Sequence, residues 1–200
     1  MNSMKFYINK YSYLKKEIAD ISFIPMLMRR KLDILGKAGL YTLYNVLDKN
    51  TNSSLIFASQ YGDIERVLKL IQQRKEEGEI SPTGFSFSVH NATIGLFSLL
   101  NSIKTSYNSI SAGENTLSYG ILETILTCKE NPTIFCFTEN KDDLQSVSFS
   151  CSTAKLDEQA QEIIFIKETN TKKDSFDDFI SFLENKKDCY YSDLYTLKRG

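Results

Sequence analysis

The sequence predicts an α/β fold in which helices flank a mixed β-sheet, and three observations support this class. Apolar runs of strand length at 54–59 and 133–137 are typical of buried strands. A stretch with helical periodicity, 64–77, lies between them. Two further strand candidates, 146–152 and 160–167, follow one another without a helix, which favours an antiparallel pair joined by a turn. A sheet that combines both kinds of connection is mixed.

Length, charge and hydropathy fit one ordinary globular domain. The 200 residues suffice for a single core, so one domain spanning 1–200 is expected. The formal net charge of −1 gives no bulk electrostatic reason to expect nucleic acid or an anionic membrane as a partner. No apolar run reaches the ~18 residues that cross a bilayer, and the N-terminus lacks the apolar core of a signal peptide. A cytoplasmic protein without a membrane span is therefore expected.

The cysteines and the other reactive side chains form no metal or cofactor motif. Cys128 and Cys136 stand among apolar residues and are expected to be reduced core thiols, and no two cysteines have CxxC spacing. Zinc-ligand spacing, a glycine-rich phosphate loop and a Ser-His-Asp set are all missing from the sequence. Neither a metal nor a cofactor is expected.

The N-terminal region is predicted to contain a strand and then a helical segment. Residues 4–8 are a strand candidate, and residues 24–48 have helical periodicity. Gly36 and Gly39 interrupt this periodicity, which favours two short helices or one kinked helix.

Three consecutive cations, Arg29, Arg30 and Lys31, lie near the start of this helical segment. They are interpreted either as a solvated face or as a landing site for an acidic carrier protein. Clustered Lys and Arg beside a substrate entrance would accelerate encounter with an anionic partner.

Two later helices have recognisable ends or faces. Asp63 is a good N-cap for the helix at 64–77, and Gly78 is a good terminator. A charged amphipathic helix is predicted at 174–187. Its inward side is expected to consist of Phe176, Phe179, Ile180 and Leu183.

The stretch from Ile80 to Lys129 predicts a functional site. It opens with a Ser-Pro turn, after which Phe85, Phe87 and Val89 recur at every second position. This spacing predicts an extended segment in which both phenylalanine rings project to the same side. Further along, the apolar spacing becomes helical.

The second part of this stretch has the order strand, tight turn, helix. Residues 109–112 are a short strand candidate with small side chains, 113–115 form a turn, and Thr116 stands at the entry of a helix from Leu117. α/β enzymes present a nucleophile in such a turn. Backbone N–H groups at the start of the helix favour an anion or oxyanion.

Three motifs in this stretch resemble the N-terminal half of β-ketoacyl synthases, enzymes of the thiolase-like superfamily. Ile80-Ser81-Pro82 stands for the family's Ser-Pro, Asn91 to Gly95 for its Asn-x-x-x-Gly helix, and Ser109-Ile110-Ser111 for its Ser-Ile-x-Ile strand. Residues 57–62 look closer still to the short ketosynthase-like proteins of aryl polyene gene clusters, which resemble chain-length factors. The resemblance extends over 55–129 and implies half of a thiolase-like fold.

One departure from the family decides the functional expectation. The catalytic Cys of the family would stand where this chain has Thr116. Condensation also needs two further groups, His-His or His-Asn, from the family's C-terminal half. This chain has one His, and a complete ketosynthase is about twice as long. The resemblance therefore implies no catalytic residue and no condensation by this chain alone.

Two side chains in the stretch have alternative interpretations. His90 is either a general base or, as the resemblance favours, a structural histidine that backbone groups satisfy. Glu114 is expected to cap the following helix, where the helix dipole stabilises a carboxylate. The alternative is that Glu114 or Asn115 fills the vacated acyl pocket.

The resemblance implies a non-catalytic subunit similar to a chain-length factor. Such a subunit pairs with a complete β-ketoacyl synthase, meets the acyl carrier protein through that complex, and shapes the tunnel into which the acyl chain grows. The strand at 108–112 is expected to pair with its equivalent across the dimer. Phe87 is expected to stop the tunnel, or Phe85 if a bulge shifts the alternation. The alternative is that both rings belong to the ordinary core. The tunnel and partner interface are assigned to Phe85, Phe87, His90, Asn91, Ile110 and Thr116.

A physical argument for a partner comes from two apolar helices. Half of a two-half fold would expose the helix layer that the missing half covers, at a cost of several kcal/mol for ~25 cal/mol per Å². Two alternatives stay open: a stand-alone acyl-transfer or hydrolytic enzyme that uses Thr116 or a thiol outside the elbow, and a homodimeric acyl-binding module. The apolar side chains concerned are Leu96, Phe97, Leu99, Leu100, Ile121, Leu122, Ile125 and Leu126.

Overall fold

The computed structural model describes residues 3–17, 19–48, 52–140 and 143–200. The strands in this part of the chain are β1 Ser3–Lys15, β2 Ser54–Ala58, β3 Tyr107–Ile110, β4 Thr133–Glu139, β5 Gln145–Ser152, β6 Gln161–Lys167, β7 Cys189–Tyr191 and β8 Tyr195–Arg199. The helices are α1 Met26–Arg29, α2 Ile34–Val46, α3 Ile64–Glu77, α4 Pro82–Ser86, α5 Ala92–Leu100, α6 Thr116–Thr127 and α7 Phe176–Leu183, with a 3₁₀ turn at Gly113–Asn115.

The described strands form one mixed sheet, as predicted. Their order is β3-β2-β4-β5-β1-β6-β8-β7. β2 runs parallel to both β3 and β4, and every other neighbouring pair is antiparallel. The carboxyl ends of the three parallel strands therefore meet at one end of the sheet, where α/β proteins place their ligands.

Side chains that alternate along the central strands build a core on each face of the sheet. Phe135 belongs to the cluster that α6 and α7 cover, whereas its neighbour Cys136 belongs to the cluster that α2 and α5 cover. Phe57 and Ile56 are divided between the two clusters in the same way. The period of two sends successive residues to opposite faces, so both faces of the parallel strands are buried.

The prediction that β5 and β6 pair with each other is wrong. β1 lies between them, so that Tyr7 faces Ser152 of β5 on one side and Glu162 of β6 on the other. β1 spans 13 residues, far more than the predicted 4–8, and is long enough to pair with both strands. Sequence proximity favoured the hairpin, but pairing with a distant strand buries the ladder on both edges of β1.

The glycines of α2 do not interrupt the helix, contrary to prediction. The break lies between α1 and α2, and Gly36 and Gly39 both lie inside a continuous α2. A Cβ on Gly39 would stand 3.1 Å from Thr93 Cγ2 and 3.6 Å from Cys136 Sγ. These glycines are therefore sites where α2 approaches α5 and the sheet closely.

The predicted open helix layer is largely covered by the chain itself. Phe97 and Ile121 are fully buried, because α5 and α6 pack on opposite faces of the sheet. Only part of the set is exposed, most clearly Leu99 at 72% and Leu126 at 44%.

β7 and β8, which the sequence did not reveal, extend the sheet beyond β6. Among the described helices, none is long and apolar enough to cross a membrane.

Candidate functional site

The elbow predicted around Thr116 lies at the carboxyl end of β3, as the strand-turn-helix order indicated. β3 ends at Ile110, the 3₁₀ turn follows, and Thr116 is the first residue of α6. Gly113 has a φ of +57°, a conformation that glycine adopts without strain. The turn therefore places Thr116 at the junction of β3 and α6, the position predicted for the elbow residue.

The hydroxyl of Thr116 is fully engaged by this turn. Thr116 is 2% exposed, its Oγ1 donates to the carbonyl oxygen of Gly113 at 2.7 Å, and it accepts from the N–H of Ala112 at 2.9 Å. No histidine or carboxylate of the described chain is hydrogen-bonded to this hydroxyl. A hydroxyl nucleophile needs an adjacent base, so the arrangement is structural.

A cleft of about 310 Å³ opens beside the elbow. Glu114 lies on its rim and is exposed. It stands in the first turn of the 3₁₀ segment, where the expected stabilisation by the dipole applies, but its side chain forms no cap hydrogen bond with that segment or with α6. The cleft walls combine charged and aromatic groups. They include Glu114, Thr116, Phe137, Glu139, Lys173 and Phe176.

Glu139, at the end of β4, organises the neighbouring loop and was missed by sequence reasoning. Its Oε2 accepts from the backbone N–H of Gln60 at 2.6 Å and from Ser59 Oγ at 3.3 Å. Ser59 Oγ in turn accepts from the N–H of Gly62 at 2.9 Å. An acidic residue directly after a buried strand was the available signal, but its partners lie about 80 residues away in the chain.

His90 forms the hydrogen bond expected of a structural histidine. Its Nε2 lies 2.7 Å from the carbonyl oxygen of Ser59, and a carbonyl only accepts, so Nε2 carries the proton and donates. The imidazole also meets the ring of Phe57 edge-on, with centroids 5.7 Å apart. Asn91, the neighbouring residue, is exposed and its side chain does not cap α5. His90 therefore ties the start of α5 to the end of β2.

The segment with Phe85 and Phe87 is helical, and the predicted extended alternation is wrong. Ser81 Oγ accepts from the N–H of Gly84 at 3.1 Å, and Pro82 occupies the first turn, so the Ser-Pro pair starts α4. Two residues apart on a helix, the rings point in different directions. Phe85 is 55% exposed, whereas Phe87 packs against the α2–α5 core.

β3 is an edge strand with an open outer side in the described sheet. The carbonyl oxygens of Ser106 and Ile110 accept from Leu55 and Ser59, so the even-numbered positions face β2. By alternation, Tyr107 and Ser109 direct their backbone groups outward. The N–H of Ser109 donates only to the side chain of Asn108, at 2.9 Å, and the Oγ of Ser109 is buried without a partner.

The three buried thiols offer no alternative nucleophile. Cys128 lies at the end of α6 and Cys136 within β4, both buried and free, as predicted. Burial raises the pKa of the Cys136 thiol to about 12 and that of Cys151 well above its ordinary value. A hydrogen bond with Cys151 lowers the pKa of Cys128, but this thiol is 2% exposed and donates to the Ile125 carbonyl. Within the described residues no group of His, Cys, Asp and Glu is arranged to hold a metal.

The predicted docking cations lie on α1 and directly after it. Arg30 and Lys31 are exposed and Arg29 is half-buried. None of the three forms an ion pair within the described chain. They precede α2 and lie outside the lining of the elbow cleft.

Comparison with known proteins identifies related sequences and folds. The family model described as the N-terminal domain of β-ketoacyl synthases matches residues 8–144. The structure of a ketosynthase (ApeO) in complex with its chain length factor (ApeC) from Xenorhabdus doucetiae is similar with a TM-score of 0.70 and 16% identity, over 92% of this chain and 83% of that one. No curated protein sequence matches the chain significantly.

Two further solved structures share the fold. One is a type II polyketide acyl-carrier protein in complex with its hexaketide-bound ketosynthase (AntDE:AntF), with a TM-score of 0.61 and 12% identity over 83% of this chain and 70% of that one. The other is the ishigamide ketosynthase/chain length factor, with a TM-score of 0.58 and 11% identity over 78% of this chain and 64% of that one. At these identities the likeness concerns the fold.

Proposed function

The chain belongs to the family of β-ketoacyl synthase N-terminal domains, and we propose that it is a non-catalytic subunit similar to a chain-length factor. In this proposal it pairs with a complete β-ketoacyl synthase of fatty-acid or polyketide type, of the aryl polyene kind, and shapes the tunnel of its partner. The observation that carries the proposal is Thr116, which stands at the elbow with its hydroxyl bonded to the backbone on both sides.

The absence of a reactive group at the elbow separates this proposal from a stand-alone enzyme. Among the described residues, His90 is occupied by the Ser59 carbonyl and Cys136 is buried with a raised pKa, so neither supplies a base or a thiolate to the elbow. The elbow nevertheless has the order strand, tight turn, helix in which the family holds its nucleophile. A subunit that keeps the scaffold without the nucleophile suits a partner that supplies the chemistry.

The outer side of β3 supports the pairing part of the proposal. An edge strand with unpaired backbone groups invites pairing with another chain. Exposed apolar side chains lie on both neighbouring helices, Leu99 on α5 and Leu126 on α6. Tyr107 of β3 is itself exposed. Pairing at this edge would satisfy the strand and cover those side chains together.

Co-expression with the complete ketosynthase of the same gene neighbourhood tests the proposal. A stable complex of the two chains in size-exclusion chromatography is expected, because the edge of β3 is open. Intact mass measurement after incubation with acyl-carrier thioesters is expected to find no acyl group on this chain. A stable acyl adduct on Thr116 or a cysteine would establish the enzyme alternative. A homodimer that forms no complex with the co-expressed ketosynthase would establish the acyl-binding module.

A further inference from the structure

The segment that precedes α2 carries an exposed apolar tip, which we call the α1 tip and define as residues 22–31. Ile21 and Ile24 are buried and anchor it, and the N–H of Ile24 donates to the Ile21 carbonyl at 2.9 Å. Between and after these anchors three large apolar side chains are exposed, whereas Met28 packs against the α2–α5 core. Phe23, Met26 and Leu27 are 48%, 54% and 71% exposed.

The α1 tip is also positively charged without compensation. No acidic residue occurs between Asp20 and Asp33. Arg29, Arg30 and Lys31 form no ion pair within the described chain, and the buried Nε of Arg29 has no hydrogen-bond partner there. A guanidinium nitrogen of Arg30 lies 3.8 Å from Met26 Sδ, so charge and apolar surface are in contact.

We propose that the α1 tip binds the surface of an anionic lipid bilayer, with its apolar side chains in the headgroup and acyl boundary and its cations at lipid phosphates. Interfacial binding grows with the apolar area that enters this boundary and with attraction to anionic lipids. Arginine and lysine can leave their apolar stems in the boundary while the charged ends reach phosphate. The near-zero net charge of the chain does not bear on this local patch, because exposed charges act within about a Debye length, ~10 Å.

The exposed side chains favour a lipid surface over an acidic protein. The cations alone would suit an acidic carrier protein through long-range attraction. Met26 and Leu27, however, lie on a four-residue helix that projects both of them, and they form no part of the two larger core clusters. A bilayer accepts such side chains without a shaped socket.

The tip is held in place by the rest of the fold. The carbonyl oxygen of Lys31 accepts from a guanidinium nitrogen of Arg66 on α3 at 3.0 Å. The ring of Phe23 lies against Tyr44 of α2, with centroids 4.5 Å apart. The apolar and basic groups are therefore presented together, which lowers the entropy that binding must overcome.

α3 provides a matched comparison within the same chain. It exposes Leu68 at 58%, but the helix carries carboxylates such as Glu65 and Glu76 beside its cations. Replacing Leu68 removes a comparable apolar side chain from a surface of mixed charge. L68Q is therefore the control for substitutions in the α1 tip.

Co-sedimentation of the full chain with phosphatidylcholine vesicles, with and without phosphatidylglycerol, tests the proposal. Binding is expected only with phosphatidylglycerol and is expected to weaken as salt is raised. The double variant M26Q/L27Q is expected to lower partitioning at least tenfold. Arg30→Gln and Lys31→Gln are each expected to lower it about fivefold, the equivalent of ~1 kcal/mol per cation. L68Q is expected to bind like the wild type, and circular dichroism checks that each variant is folded.

Three results would overturn the proposal. The first is no binding to either kind of vesicle. The second is vesicle binding that M26Q/L27Q retains. The third is binding of a phosphopantetheinylated acyl carrier protein that needs Arg30 and Lys31 but not Leu27, together with no vesicle binding, which would assign the patch to a protein partner.

Discussion

At the scale of single residues, the hydroxyl of Thr116 stabilises the elbow turn. It joins the Gly113 carbonyl to the Ala112 N–H across the elbow turn. Each hydrogen bond of this kind contributes about 1 kcal/mol to stability. The elbow therefore keeps its shape without a reactive atom.

Thr116→Ala is expected to lower the stability of the chain by about 1–2 kcal/mol, because both bonds are lost in a buried site. The activity of a reconstituted ketosynthase complex is expected to change by no more than a few-fold, because in the proposed function Thr116 performs no chemistry. Thermal unfolding and turnover measure the two effects. Thr116→Ser keeps the hydroxyl and serves as the control. A loss of activity in Thr116→Ala at unchanged stability would contradict the structural role.

In Asp33, burial and a backbone hydrogen bond act on the charge of the carboxylate in opposite directions. Its Oδ1 accepts from the N–H of Gly36 at 2.8 Å and caps α2. Burial raises the pKa of Asp33, and the neighbouring Asp63 adds to this while Arg66 opposes it. A carboxylic acid with a raised folded pKa destabilises the fold increasingly as the pH rises from the unfolded value, ~3.9, through the folded one.

Asp33→Asn is therefore expected to be at least as stable as the wild type at pH 7, since asparagine caps without a charge. Any gain is expected to vanish below pH ~4, where Asp33 is neutral in both states. Asp33→Ala removes the cap and is expected to cost about 1 kcal/mol at neutral pH. Denaturant unfolding at several pH values measures the differences. A loss of stability in Asp33→Asn that is largest at pH 7 would show that the charge itself is needed there.

At the scale of elements, β3 is the edge strand at which a strand of a partner could add to the sheet. The backbone groups of Ile110 face β2, because its carbonyl oxygen accepts from the N–H of Ser59 at 3.2 Å. Ser109 faces the outer side. A proline at Ile110 would therefore damage the sheet of this chain itself, and Ser109 is the position that probes the partner.

Ser109→Pro is expected to abolish the complex with a ketosynthase, because it removes an outward N–H and adds a ring at the edge. The monomer is expected to keep its melting temperature within a few degrees, since the β2 ladder is intact. Ile110→Pro is the comparison and is expected to destabilise the monomer clearly. Size-exclusion chromatography and circular dichroism measure assembly and folding. A complex that survives Ser109→Pro would place the interface away from β3.

The same contrast between local and distant partners explains which elements the sequence revealed. β2 and β4 were predictable because each is a local apolar run. α3 was predictable because Asp63 caps its start and the left-handed Gly78 ends it, and both signals lie in the segment itself. α4 was misjudged because every-second-residue spacing over five residues occurs in helices as well. The Ser-Pro pair before it was the better signal.

At the scale of the whole molecule, the features that escaped prediction depend on contacts between distant segments. The insertion of β1 between β5 and β6 joins residues at least 130 positions apart. β7 is only three residues long, and Thr196 and Lys198 interrupt the apolar residues of β8, so neither strand has the apolar run that identified β2. The position of the elbow was predictable from local motifs, whereas Glu139 was not, because it acts on a loop about 80 residues earlier.

In the proposed complex with a ketosynthase, Phe85 is the residue expected to set the length of the product. Its ring is 55% exposed in this chain and is free to line a tunnel shared with a partner. The ring of Phe87 packs against the core, with the guanidinium carbon of Arg66 6.0 Å from its centroid. The two rings therefore differ in what their removal does, although they are two residues apart.

Phe85→Ala is expected to lengthen the product of the reconstituted complex and to change stability by about 0.5 kcal/mol or less, as for an exposed site. Phe87→Ala is expected to leave product length unchanged and to cost up to about 3 kcal/mol, because its ring is partly buried. Mass spectrometry of products made with the partner ketosynthase, carrier and malonyl donor measures length, and thermal unfolding measures stability. Longer products from Phe87→Ala alone would move the tunnel stop to the inner ring. Unchanged product length in both variants would show that the residue that ends the tunnel lies outside α4.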